Sequence, residues 1–154
     1  MSVTIYLAGP VAALGDGGAG WRESVLEYLG GDETVEALNP LDKYNVPVDD
    51  LTVVHGMSDE DDETTVGTVE IVGSDKQLVE ASDAVLVGYE DVKSIGTPME
   101  VMYAYDRDKP VGIWIRDETD AEELSPWYRH HASAVTNSLP MAIGHLKRKV
   151  GSDD

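Results

Sequence analysis

Residues 74–115 read SDKQLVEASDAVLVGYEDVKSIGTPMEVMYAYDRDKPVGIWI, and the order of segments in this stretch decides the fold. Ala84–Tyr89 and Val111–Ile115 are short, continuous apolar runs of strand length. They do not alternate with polar residues, so both faces of each strand need cover. Between them Pro98–Asp106 reads as a helix, and a longer helix over about residues 66–82 precedes the first strand. Strand, helix and strand in this order form a parallel crossover unit.

The same alternation extends outward. Val3–Ala8, Thr34–Leu38 and, more weakly, Ala134–Thr136 complete five strands; Gly20–Leu29, Pro126–His131 and Leu139–Val150 supply further helices. Five parallel strands covered on both faces predict a single three-layer, flavodoxin-like α/β domain over residues 1–150, with an acidic tail at 151–154. Residues 45–65 read as loop. Such sheets bind ligands beyond the carboxyl ends of their strands. The positions to inspect are therefore Gly9-Pro10, Asn39-Pro40, Glu90-Asp91 with Ser94, and Arg116-Asp117.

Composition narrows the function. Among 154 residues, 30 are acidic and 11 basic, a net charge of −19. Phosphate backbones would be repelled, so nucleic acid is not an expected partner. Acids spread along a chain that is 42% hydrophobic indicate a folded protein with an acidic surface, suited to a salt-rich cytoplasm where self-repulsion is screened. There is no cysteine, hence no disulfide or thiol nucleophile. No apolar run reaches membrane-spanning length, and the N-terminus reads as a buried strand rather than a signal peptide. A cytoplasmic location is expected.

Several motifs have bland readings. Gly15, Gly17 and Gly20 match the spacing of a dinucleotide fingerprint, but the glycines begin too far beyond the first strand. A Gly-rich loop before a helix accounts for them. The run Ser58–Glu63, SDEDDE, lacks the alternating ligands and turn glycine of a calcium loop. His130 and His131 are adjacent and diverge on a helix, which suits a surface pair near Trp127 better than a metal site. No metal or organic cofactor is expected. Asp83 sits at a helix-to-strand turn and is expected to bond locally.

Three residues resist dismissal. Tyr6 lies within the first strand and needs a partner for its hydroxyl. Asp75 is mid-helix, where aspartate has poor propensity. Glu100 follows Gly96-Thr97-Pro98. With Thr97 as N-cap it would complete a Thr-x-x-Glu capping box, and the helix dipole would keep it ionised. That charge suits a cap and a nucleophile equally.

The segments IYLAGP (residues 5–10), SDKQLVEASDAVLV (74–87) and SIGTPMEVMYAYDRDKPV (94–111) resemble the nucleoside 2-deoxyribosyltransferase family. The resemblance rests on order and spacing: Tyr6 in the first strand, Asp75 eight residues before Asp83, then Gly-x-x-Met-Glu opening a helix. It implies retaining transfer at an N-glycosidic bond, with Glu100 as nucleophile, Asp75 addressing the leaving base and Tyr6 holding the nucleophile. A carboxylate attacking the anomeric carbon and an acid at the leaving group are the two parts such chemistry needs. The resemblance also implies sugar or phosphate contacts at Gly9, Asp91, Ser94 and Gly96, and a homo-oligomer. There Asn137, in Ser133–Ser138, would reach a neighbouring subunit's pocket. Some transferases of this family carry an aspartate where Ser94 stands. Serine there resembles the related 2′-deoxynucleoside 5′-monophosphate N-hydrolases, so nucleoside and nucleotide substrates both stay open, with Arg22 a candidate cation. A binding module without turnover is the alternative of a different class.

Overall fold

The structure is a computed structural model that describes residues 2–10, 18–44, 50–58 and 64–151. Gly15 and Gly17, the acidic run after Ser58, and the tail beyond Gly151 lie outside the described residues.

The chain runs β1 (Val3–Ala8), α1 (Ala19–Leu29), β2 (Val35–Leu38), β3 (Thr52–Val54), β4 (Thr65–Gly67), α2 (Thr68–Ala81), β5 (Ala84–Tyr89), α3 (Gly96–Tyr105), β6 (Val111–Ile115), α4 (Pro126–His131), β7 (Ala134–Thr136) and α5 (Leu139–Gly151). The main sheet is parallel, in the order β2-β1-β5-β6-β7. Order reverses between β1 and β5, and a cleft at the carboxyl edge is expected there.

Period-two alternation splits β1 between two cores. Ile5 and Leu7 pack with Trp21, Val25, Ile143 and Leu146 beneath α1 and α5. Tyr6 and Ala8 pack with Val79, Val101 and Ala104 beneath α2 and α3. Helices on both faces explain why the central strands carry few polar side chains, and they make this a three-layer flavodoxin-like domain.

Three expectations need correction. The stretch read as loop at 45–65 contains β3, which pairs with β4 at its far end, where residues 66 and 67 were expected to begin a helix; the two make a separate two-stranded parallel ribbon. Each strand is only three residues long, too short for periodicity to reveal. The glutamate cap is also elsewhere. Glu70, at the third position of α2, accepts from Gly67 N at 3.2 Å and from Ser58 N at 2.9 Å. Helix α3 starts two residues earlier than Pro98, so Glu100 falls in its second turn and caps nothing. Ser94 is the polar group at that helix entrance, its Oγ 2.6 Å from Thr97 Oγ1.

Asp83 bonds across the sheet instead of locally, accepting from Thr4 N at 2.9 Å and tying β1 to the start of β5. His131 stays near Trp127, its Nδ1 2.7 Å from the Trp127 carbonyl and its ring stacked on the indole. No helix among the described residues is long and apolar enough to cross a membrane.

Candidate active site

Tyr6 and Glu100 meet. The buried Tyr6 hydroxyl donates to Glu100 Oε2, linking the middle of β1 to α3 across the layer boundary. Alternation along β1 turns Tyr6 toward α3, and the helical repeat turns Glu100 inward while Met99 and Met102 on either side stay exposed. The bond joins the two residues that the resemblance pairs, a phenol and the glutamate on a helix.

Burial raises Glu100 from 4.5 to about 7, and the nearby Asp75 charge adds to the rise. The Tyr6 hydrogen bond and the cations of Arg22 and Lys43 pull it back down. The expectation that a helix terminus keeps this carboxyl fully ionised is therefore overturned, because desolvation outweighs the dipole at a half-buried position in the second turn. Tyr6 is itself raised far above the usual phenol range, first by burial and then by Glu100 and Asp75. Its proton stays on, so it acts as a donor.

Asp75, on α2, is close enough for its charge to act on both Tyr6 and Glu100. Lys43 donates to its Oδ1, and each side chain is 24% exposed. Lys43 ends a 3-10 turn (Pro40–Lys43) after β2. Asn39 Oδ1 caps that turn by accepting from Leu41 N at 3.0 Å. Nothing in the sequence marked Lys43. Only the Asn-Pro start of its turn was visible as a strand-end position.

Arg22 is buried in α1. Its guanidinium donates to the carbonyls of Leu7 (3.4 Å), Gly18 (2.9 Å) and Gly9 (3.1 Å). Burial lowers it to about 10, still charged at neutral pH. These bonds clamp the end of β1 to the entrance of α1. A side chain so engaged supplies field to Tyr6 and Glu100 and has little left for a ligand.

Gly9 is a packing residue. A Cβ there would lie 2.5 Å from Trp21 Cζ2, and one on Gly88 2.4 Å from Trp21 Cε3. The two glycines let the buried indole lie flat against the ends of β1 and β5. Pro10 lines a cavity of about 340 Å³ together with Val87, Tyr89, Ser94, Thr97 and Tyr128. The cavity lies past the carboxyl ends of β1 and β5, and Thr97 and Pro98 of α3 line it while Tyr6 and Glu100 do not. Ser94 thus faces usable space. Gly96, in the first turn of α3, is exposed. Asp91 is exposed and off the cavity wall, and its N–H donates to Asp117 Oδ2 at 2.6 Å. Arg116 pairs with Glu90 at 2.6 Å, so the loops after β5 and β6 are tied together. Asn137 is exposed beyond β7, at the far edge of the sheet.

The arrangement is a sheltered carboxyl held by a phenol, a second carboxylate paired with an ammonium, and a cavity at the carboxyl edge of the sheet. No protein-family model and no curated protein matches the sequence. Solved structures do match the fold. A conserved protein from Enterococcus faecalis V583 superposes with a TM-score of 0.67 at 16% identity, covering 100% of both chains. A 2-deoxyribosyltransferase from Bacillus psychrosaccharolyticus superposes with a TM-score of 0.60 at 17% identity, over 86% of this chain and 84% of that one. This chain shares its fold with a 2-deoxyribosyltransferase. It also shares it with the molybdenum cofactor binding protein of Rippkaea orientalis (TM-score 0.58, 18% identity, 97% and 98% covered). One fold thus hosts a transferase and a binder, and the side chains of the site must argue between them.

Proposed function

We propose that the protein cleaves or transfers at the N-glycosidic bond of 2′-deoxyribonucleosides through a deoxyribosyl ester on Glu100. The observation that carries this reading is the Tyr6–Glu100 hydrogen bond. A binder gains nothing from burying a carboxyl whose ionisation burial opposes. A nucleophile gains an oriented oxygen, shed of water and held by one fixed donor.

The step follows from the geometry. One Glu100 oxygen accepts from Tyr6, and the other is available to the anomeric carbon. Attack forms the C1′–O bond as the C1′–N bond breaks, through an oxocarbenium-like transition state that a 2′-hydroxyl would disfavour. An incoming base gives transfer, and water gives hydrolysis. The resemblance of the sequence and the fold of the Bacillus psychrosaccharolyticus 2-deoxyribosyltransferase both support this class. Ser94 on the cavity wall keeps 2′-deoxynucleoside 5′-monophosphates as the second substrate class.

Intact-protein mass spectrometry with a slowly turned-over 2-fluorinated deoxynucleoside, and with its 5′-monophosphate, tests the reading. One added sugar on wild type and none on Glu100→Gln is expected. A Glu100→Gln variant that keeps most of its turnover rejects it.

A further inference from the structure

The mechanism above leaves the leaving base unattended. When the C1′–N bond breaks, its electron pair passes to the base inside a cleft that already holds Glu100 and Asp75. Glu100 spends its charge in the ester, and the departing anion still faces the Asp75 carboxylate. Only a cation or a proton donor in the same cleft offsets that.

Two cations act on Glu100, Arg22 and Lys43. Arg22 has donors committed to three backbone carbonyls, and a guanidinium does not release a proton at neutral pH. Lys43 has donors to spare, and an ammonium can pass a proton to a strongly basic leaving group. Its ammonium has three N–H donors, of which one goes to Asp75 Oδ1. It stands on the turn after β2 and Asp75 stands on α2, and both elements pack against β1, the strand whose Tyr6 bonds to Glu100. A carboxylate facing an ammonium is an acceptor. It anchors the lysine more readily than it gives up a proton of its own.

We infer that Lys43 is the acid that meets the leaving base, and that Asp75 is the positioning residue holding it there. This rests on the glycosyl-transfer reading. As the Glu100 oxygen forms its bond to C1′, the C1′–N pair goes to the base and one ammonium proton goes with it. Lys43 is left as a neutral amine beside Asp75. It regains a proton from water or from the N–H of an incoming base.

The test is a leaving-group series: kcat/KM for 2′-deoxyribonucleosides whose bases span a wide range of N–H acidity, on wild type, Lys43→Ala and Lys43→Arg. A proton donor matters most to the poorest leaving group. Lys43→Ala should lose about 100-fold or more with the most basic base and under about 10-fold with the most acidic. Lys43→Arg keeps the ion pair with Asp75 but cannot hand over a proton. It should melt like wild type and show the steep leaving-group dependence of Lys43→Ala. A uniform loss across the series in Lys43→Ala, or wild-type rates for Lys43→Arg on the poorest leaving group, overturns the role of Lys43. In either case the sugar adduct on Glu100 still forms. Absence of that adduct on wild type removes the parent reading and this inference with it.

Discussion

Replacing Tyr6 by phenylalanine isolates one hydrogen bond. The ring stays in its core position, and only the donor to Glu100 is lost. That donor favours the ionised carboxylate, in opposition to burial, and with both acting Glu100 stands at about 7. A hydrogen bond to a charged group contributes about 1.5–3 kcal/mol, equivalent to about one to two pH units in the midpoint. The sign follows from the mechanism. Glu100 must be ionised to attack, so wild-type kcat/KM should climb with pH through about 7. In Tyr6→Phe the climb should start about one to two units later. At pH 6 the variant should be roughly 10- to 100-fold slower, and well above pH 9 the gap should narrow. The assay is kcat/KM for a deoxynucleoside from pH 5 to 10, read on the acid limb. An acid limb with the same midpoint in both proteins would show that the phenol does not control Glu100 ionisation.

Glu100→Gln should also change stability in a pH-dependent way. Glu100 rises on folding, so below 4.5 both states are protonated and the carboxyl costs nothing. As pH climbs toward about 7 the unfolded chain ionises first, and wild type loses up to about 3 kcal/mol. Glutamine escapes that loss, so urea titrations should find the variant near wild type at pH 4 and more stable at pH 8. Equal offsets at both values would contradict the burial of the charge. Gly88→Ala should destabilise by about 1–3 kcal/mol, since its Cβ would sit 2.4 Å from the buried Trp21 ring; unchanged chemical denaturation would mean the indole has room to move. The −19 charge should make the melting temperature rise from low to molar KCl as screening shortens. A flat or falling curve would count against adaptation to salt.

The parallel sheet was legible in the sequence because continuous apolar runs of five or six residues, separated by helix-length segments, have few other ways to be buried. Val3–Ala8, Ala84–Tyr89, Val111–Ile115 and Ala134–Thr136 emerged with those bounds. The pairing of Tyr6 with Glu100 was half legible. Order and spacing pointed to both residues, while local rules assigned the glutamate to a cap that Glu70 supplies on a different helix. The ribbon of β3 and β4 was hidden, since its three-residue strands carry no period and lie outside the strand-helix alternation that placed the equally short Ala134–Thr136. Lys43 was hidden for a different reason. A lysine in an exposed-looking turn has no sequence signature until the backbone brings it to Asp75, 32 positions away in the chain. Gly9 was expected only as a sugar or phosphate contact, and its packing role, like that of Gly88, shows where Trp21 lies on both. Sequence therefore determined which segments are buried, because burial follows from local periodicity. Only the tertiary structure decided which charges share a cleft and how far burial raises Glu100, because desolvation and Coulomb interactions depend on distances that the chain order does not set.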